Sequence, residues 1–112
     1  MLRIDTSTQQ TTTRLSIKGQ LDMSSVSALD EAIVSAADSG GPVELDLGEV
    51  DFIDGSGLSV LMDAESRARL ASHELRIVAA SRNVRRLIDF TDTAGLLSPL
   101  APDARRAPVA NA

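Results

Sequence analysis

The segment of this 112-residue chain best placed to do chemistry is Asp51-Phe52-Ile53-Asp54-Gly55-Ser56-Gly57-Leu58. Two glycines flank a single serine, and glycine leaves the backbone free to turn sharply. A serine in such a turn caps a helix, its oxygen accepting a hydrogen bond from a free N–H group. Its hydroxyl also faces outward, where another protein can reach it. Asp-Gly-Ser-Gly is equally ordinary turn chemistry, so spacing alone does not separate a cap from a site.

Catalysis by Ser56 needs a base and an orienting group. The one histidine, His73, stands beside Glu74 in a different loop, where the sequence predicts it to be solvated. Cysteine is absent, which removes disulfides, thiolate metal sites and cysteine nucleophiles. Histidine and cysteine do not cluster, so no metal site is expected. Neither a P-loop nor a dinucleotide fingerprint occurs, so no cofactor is expected either. The hydroxyl reads as a substrate for another protein's chemistry, and the chain as a non-enzyme. Ser59 is a second hydroxyl nearby, one turn into the helix, where it reads as a spectator.

The elements that must hold this segment are visible as hydrophobic periods. Alternation with period 2 marks strands at 2–4, 13–18, 43–47 and 75–79, each with one buried face. Strands buried on both faces would instead show continuous apolar runs. A four-stranded sheet with helices mainly on one face follows, an α/β fold of two layers. The first two strands are joined by the short polar Ser7–Thr11 stretch, which fits an antiparallel hairpin. Val26, Leu29, Ile33 and Ala36/Ala37 form a helical stripe, with Ser24 or Ser25 to cap it and Gly40-Gly41-Pro42 to end it. Leu61, Ala64, Ala68 and Ala71 form a narrower stripe over 57–71. Each helix joins two strands, which favours parallel pairing with right-handed crossovers. A third helix is predicted from Arg82 to Phe90, burying Val84, Leu87 and Ile88. Residues 1–100 make one domain, and 101–112, with Pro102, Pro108 and much alanine, form a flexible tail.

Charge is unevenly distributed. Residues 19–66 carry eleven acidic side chains and no basic one, whereas 67–112 carry eight arginines against four acidic residues. An acidic middle segment argues against nucleic acid or an anionic membrane as partner and would suit a basic protein surface. Arg82, Arg85 and Arg86 either grip an acidic partner or form a solvated helix face. No apolar run is long enough to span a bilayer, and the first residues lack the pattern of a signal peptide, so a cytoplasmic location is expected.

The segment 51–58 resembles the STAS-domain signature of bacterial anti-sigma factor antagonists, in which Phe, an apolar residue and Asp-Ser-Ser-Gly-Leu follow one another. The likeness extends from about Leu15 to Leu96. It takes in Gly19-Gln20-Leu21-Asp22, similar to the family's Gly-x-Leu-Asp element, and Val43–Val50 leading into the signature. It implies that Ser56 is the serine phosphorylated by an anti-sigma factor kinase, a protein with a histidine-kinase-like ATPase fold. It further implies that a PP2C-type phosphatase resets the switch, and that Asp22, Ser25, Asp54, Gly55, Gly57 and Leu58 form the partner-facing surface. Gly55 stands where the family has its first serine, and the stretch from Val84 to Gly95 is longer than usual. The alternative implied by the same fold is a scaffold subunit that is not phosphorylated, such as one serving a phospholipid-transport ATPase.

Overall fold

The computed structural model describes residues 1–90; the expectations for Gly95 to Pro99 and for a tail at 101–112 lie outside them. Four strands and three helices alternate as β1 (Leu2–Gln9), β2 (Thr12–Leu21), α1 (Val26–Asp38), β3 (Val43–Ile53), α2 (Gly55–Leu70), β4 (Leu75–Ala80) and α3 (Arg82–Phe90). The sheet order is β1-β2-β3-β4. β1 and β2 are antiparallel, from Leu2 opposite Gly19 to Gln9 opposite Thr12, while β2–β3 and β3–β4 are parallel. This is the predicted mixed sheet, a hairpin continued by two parallel crossovers.

Alternation buries one face. Leu15 and Ile17 of β2, Val43, Leu45 and Leu47 of β3, and Ile77 of β4 are all at most 3% exposed. Leu29, Ile33 and Ala36 of α1, with Leu58, Leu61 and Ala64 of α2, close over them. Each large aliphatic side chain buried this way contributes about 1.5–3 kcal/mol relative to exposure. The other face of the sheet is polar, with Arg14 and Glu44 paired across β2 and β3 at 2.8 Å. α3 packs on the far half of β3, burying Val84 and Ile88, and Leu87 is half-buried. Ser81 ties it there: its hydroxyl donates to Val50 O at 2.7 Å and accepts from Val84 N–H at 3.3 Å.

β3 is six residues longer than the alternation at 43–47 predicts, and it is irregular. Its register against β2 shifts between Ser16 and Lys18 and again between Gly19 and Gln20, each time with an extra residue in β3. Each bulge inverts the parity of the side chains that follow. The inward row therefore passes from Leu47 to Val50 and then to Ile53. That correction lets one strand carry the chain from the sheet centre to the mouth of α2.

Local chemistry departs from the sequence reading in two other places. Ser25 occupies the cap position of α1 but makes no capping bond. Its hydroxyl instead donates to Gln20 O at 2.8 Å and accepts from Asp22 N–H at 3.0 Å, pinning the β2–α1 loop. His73 is half-buried rather than freely solvated: its Nε2 is buried and has no hydrogen-bond partner among the described residues. The end of α1 is as predicted, with Gly40 at φ +92°, a conformation that few other residues adopt readily.

The acidic middle segment does not fold into one acidic face. Asp30 and Asp63 both pair with Arg67, Glu65 with Arg69, Glu44 with Arg14 and Glu49 with Lys18. Among the described residues, cations from outside the segment thus reach five of its eleven carboxylates.

Candidate functional site

Parallel pairing of β2 and β3 sets Leu21 opposite Ile53, so the residues that follow, Asp22 and Asp54, leave the sheet side by side. Asp54 N–H donates back to Leu21 O at 3.3 Å, locking the two strand ends together. α2 begins one residue later.

Asp54, not Ser56, is the cap of α2. Its Oδ1 accepts from Ser56 N–H at 2.9 Å and Gly57 N–H at 3.1 Å, and its carbonyl accepts from Leu58 N–H at 3.0 Å. The Ser56 hydroxyl also points to Asp54, donating to the same Oδ1 at 2.5 Å. The sequence reading had the serine oxygen accept from the helix. An ionised carboxylate two residues earlier is the stronger acceptor, so the serine becomes a donor. Ser56 is half-buried and remains open to solvent.

The two glycines play different parts. Neither has a positive φ, so neither is needed for an unusual turn. A Cβ on Gly57 would lie 2.7 Å from Leu21 O and 2.9 Å from Leu21 Cγ and Ile53 Cγ1. Gly57 is what lets α2 start against the ends of β2 and β3. A Cβ on Gly55 would meet nothing within 4 Å. Leu58, 6% exposed, belongs to the core. Of the six residues expected to face a partner, Leu58 and Gly57 therefore support the surface from beneath. Asp22, Ser25, Asp54 and Gly55 stand at the mouth with Ser56.

Two carboxylates dominate the electrostatics. Asp54 is held below the usual carboxylate range, chiefly by the Ser56 hydroxyl, then by the Gly57 and Ser56 N–H groups, against the opposing effect of partial burial. Asp22 is also lowered, first by the Ser24 hydroxyl at 2.7 Å and then by the Ser24 N–H at 3.0 Å. Partial burial and the charge of Asp54 push Asp22 the other way. Among the described residues neither carboxylate has an ion-pair partner. Arg82, Arg85 and Arg86 make no ion pair with either of them.

Two exposed apolar residues adjoin these positions and were missed in the sequence. Met23, between Asp22 and Ser24, is 79% exposed, and Phe52, two residues before Asp54, is 48% exposed. The one signal for Met23 is an apolar residue in an otherwise polar loop. Phe52 could not be separated from the core without knowing the parity change in β3. Ser59 is exposed one turn along α2, and no hydrogen bond fixes its hydroxyl to the cap.

Known proteins share this fold. A curated relative, the anti-sigma-B factor antagonist of Bacillus subtilis (strain 168), is 24% identical over 90 residues, spanning 80% of this chain and 83% of its own. A crystal structure of an anti-sigma factor antagonist from Mycobacterium paratuberculosis superposes with a TM-score of 0.75 at 24% identity, covering 94% of this chain and 92% of that one. The anti-sigma factor antagonist SpoIIAA in its unphosphorylated form gives 0.70 at 16% identity, covering 96% and 100%. The Bacillus SpoIIAA in its phosphorylated form gives 0.66 at 14%, covering 85% and 88%. These likenesses agree with the two-layer mixed sheet described above. The sequence model described as "Mlab, STAS domain" matches residues 4–98, which include every strand and helix of the fold except the first two residues of β1. The chain belongs to the STAS domain family.

Proposed function

We propose that this protein is an anti-sigma factor antagonist. In this reading its unphosphorylated form binds an anti-sigma factor serine kinase, frees the sigma factor held there, and is switched off when the kinase phosphorylates Ser56. A PP2C-type phosphatase restores the hydroxyl. The reading rests on one observation: a half-buried hydroxyl at the first turn of α2 donates to a carboxylate that no cation offsets among the described residues. The chain's likeness to anti-sigma factor antagonists supports the same reading.

The switch follows from that hydrogen bond. Phosphorylation removes the proton that Ser56 donates and adds about −1.5 to −2 charge at neutral pH. The new group then stands beside Asp54 and close to Asp22. A helix N-terminus ordinarily welcomes an anion through its free N–H groups. Here Asp54 already occupies those of Ser56 and Gly57. The phosphate must either displace Asp54 or turn outward, and both outcomes rebuild the surface a partner touches. A partner carboxylate about 4 Å away would be repelled by ~1–4 kcal/mol per unit charge, depending on the effective dielectric. A loss of ~3 kcal/mol weakens binding about a hundredfold.

Intact mass after incubation with ATP and candidate anti-sigma kinases from the same genome tests the proposal. One added phosphate mapped to Ser56, and none on Ser56→Ala, is the expected result. Phosphate on Ser59 instead, or none with any kinase, overturns it. The other reading of the fold is a transporter scaffold subunit that is not phosphorylated. Copurification with a membrane transporter that is indifferent to Ser56→Ala would decide for that reading.

A further inference from the structure

The outer edge of β1 is eight residues long, and among the described residues nothing pairs with it. Exposed edges are usually blunted by Pro, Lys, bulges or brevity. Leu2–Gln9 has no Pro or Lys, and its pairing with β2 runs without a register shift. The opposite edge, β4, has six residues and runs directly into α3.

The direction of the free groups is known. Gln20 N–H donates to Met1 O at 3.4 Å, which makes Met1 and Gln20 a hydrogen-bonded pair. Antiparallel alternation then turns the N–H and C=O groups of Arg3, Asp5 and Ser7 toward β2, and those of Leu2, Ile4, Thr6 and Thr8 outward. A second antiparallel strand must pair even residues with even ones.

We propose that β1 pairs with β1 of a second copy of this chain, centred on Ile4, joining two four-stranded sheets into one. Charge selects this register. Centring on Ile4 sets Arg3 opposite the second copy's Asp5, and Asp5 opposite its Arg3. Centring on Arg3 or Asp5 would set like charges against each other, and centring on Thr6 would face both charges with neutral residues. In the Ile4 register Leu2 pairs with Thr6, giving about six backbone hydrogen bonds. Ile4, half-buried at the margin of the core, meets its own copy on the helical face. The two-fold axis points the ends of the parallel strands in opposite directions, so both Ser56 hydroxyls stay reachable.

Sedimentation equilibrium from micromolar to millimolar concentration tests this, with circular dichroism to confirm folding. The Arg3 and Asp5 side chains are 73% and 49% exposed, so their reversal is compatible with the fold. R3D and D5R should each raise the dimer dissociation constant by roughly tenfold or more, because each sets like charges opposite one another twice. An equimolar mixture of the two variants should restore the dimer, since the acidic strand of one then faces the basic strand of the other. Thr6→Pro, which removes an outward N–H without touching the β2 ladder, should also give a monomer. A parent chain monomeric at millimolar concentration, a dimer indifferent to these changes, or variants that fail to restore each other would overturn the proposal.

Discussion

The Ser56 hydroxyl donates to Asp54 Oδ1, the same oxygen that receives the N–H groups of Ser56 and Gly57. One carboxylate therefore both starts α2 and orients the proposed phosphate acceptor. Helix stability and the position of the hydroxyl are coupled through a single atom, and the coupling can be taken apart by substitution.

Asp54→Asn keeps an oxygen where Oδ1 stands but loses the charge that the lowered pKa shows to be favoured, so it should lower the melting temperature, though by less than removal of the cap does. Asp54→Ala removes the cap and should lower it by about 4–8 °C, the shift that loss of one ordinary cap causes in a domain of this size. Thermal unfolding of the two variants beside the parent is the measurement. Equal losses in both would mean that the charge, rather than the acceptor geometry, carries the effect.

The same carboxylate predicts a pH dependence. Its folded pKa lies below the ordinary value of 3.8, so its contribution to stability is present above that value. It is lost as pH falls through the lowered folded pKa. Because the Ser56 hydroxyl is the largest cause, Ser56→Ala should move the Asp54 midpoint up toward 3.8. Carboxyl carbon shifts followed by NMR titration read this directly, and an unmoved midpoint would remove the hydroxyl from the account.

The glycines flanking Ser56 should respond in opposite directions. Gly57→Ala forces a Cβ to within 2.7 Å of backbone oxygen and should cost about 1–3 kcal/mol as α2 is pushed off β2. Gly55→Ala enters open space with an ordinary φ and should stabilise by about 0.4–1 kcal/mol, by restricting the unfolded chain. Urea denaturation separates the two, and a destabilised Gly55→Ala would contradict the geometry.

Much of this architecture was legible in the sequence because its signals are local. Alternation in Leu15-Ser16-Ile17 and Val43-Glu44-Leu45 names the buried face, and the stripe Leu29, Ile33, Ala36 names the helix above it. What was hidden depends on residues far apart in the chain. Gly48 and Glu49 break the alternation, so β3 seemed to stop at Leu47; its continuation rests on bulges defined against β2. How the acidic run is neutralised was hidden because Arg67, which pairs with Asp30, lies 37 residues along the chain from that partner. The segment Asp54-Gly55-Ser56 contains two possible caps, and only the geometry shows that the carboxylate accepts and the hydroxyl donates. The burial of His73 Nε2 left no trace in its neighbours.

Bulk and charge at position 56 can be separated in the proposed switch. Ser56→Gln and Ser56→Glu have nearly the same size, and both replace the hydroxyl that donates to Asp54. The Glu side chain adds a negative charge beside Asp22 and Asp54, which among the described residues have no cation paired to them. If charge carries the switch, Glu should weaken binding to the cognate kinase by roughly tenfold more than Gln does. Exposed charges are screened over about 8–10 Å at physiological salt, so that gap should narrow as salt is raised. Calorimetric titration at low and high ionic strength measures it. Equal losses for Gln and Glu at both would assign the switch to steric bulk, leaving the carboxylates as parts of the loop and the cap alone.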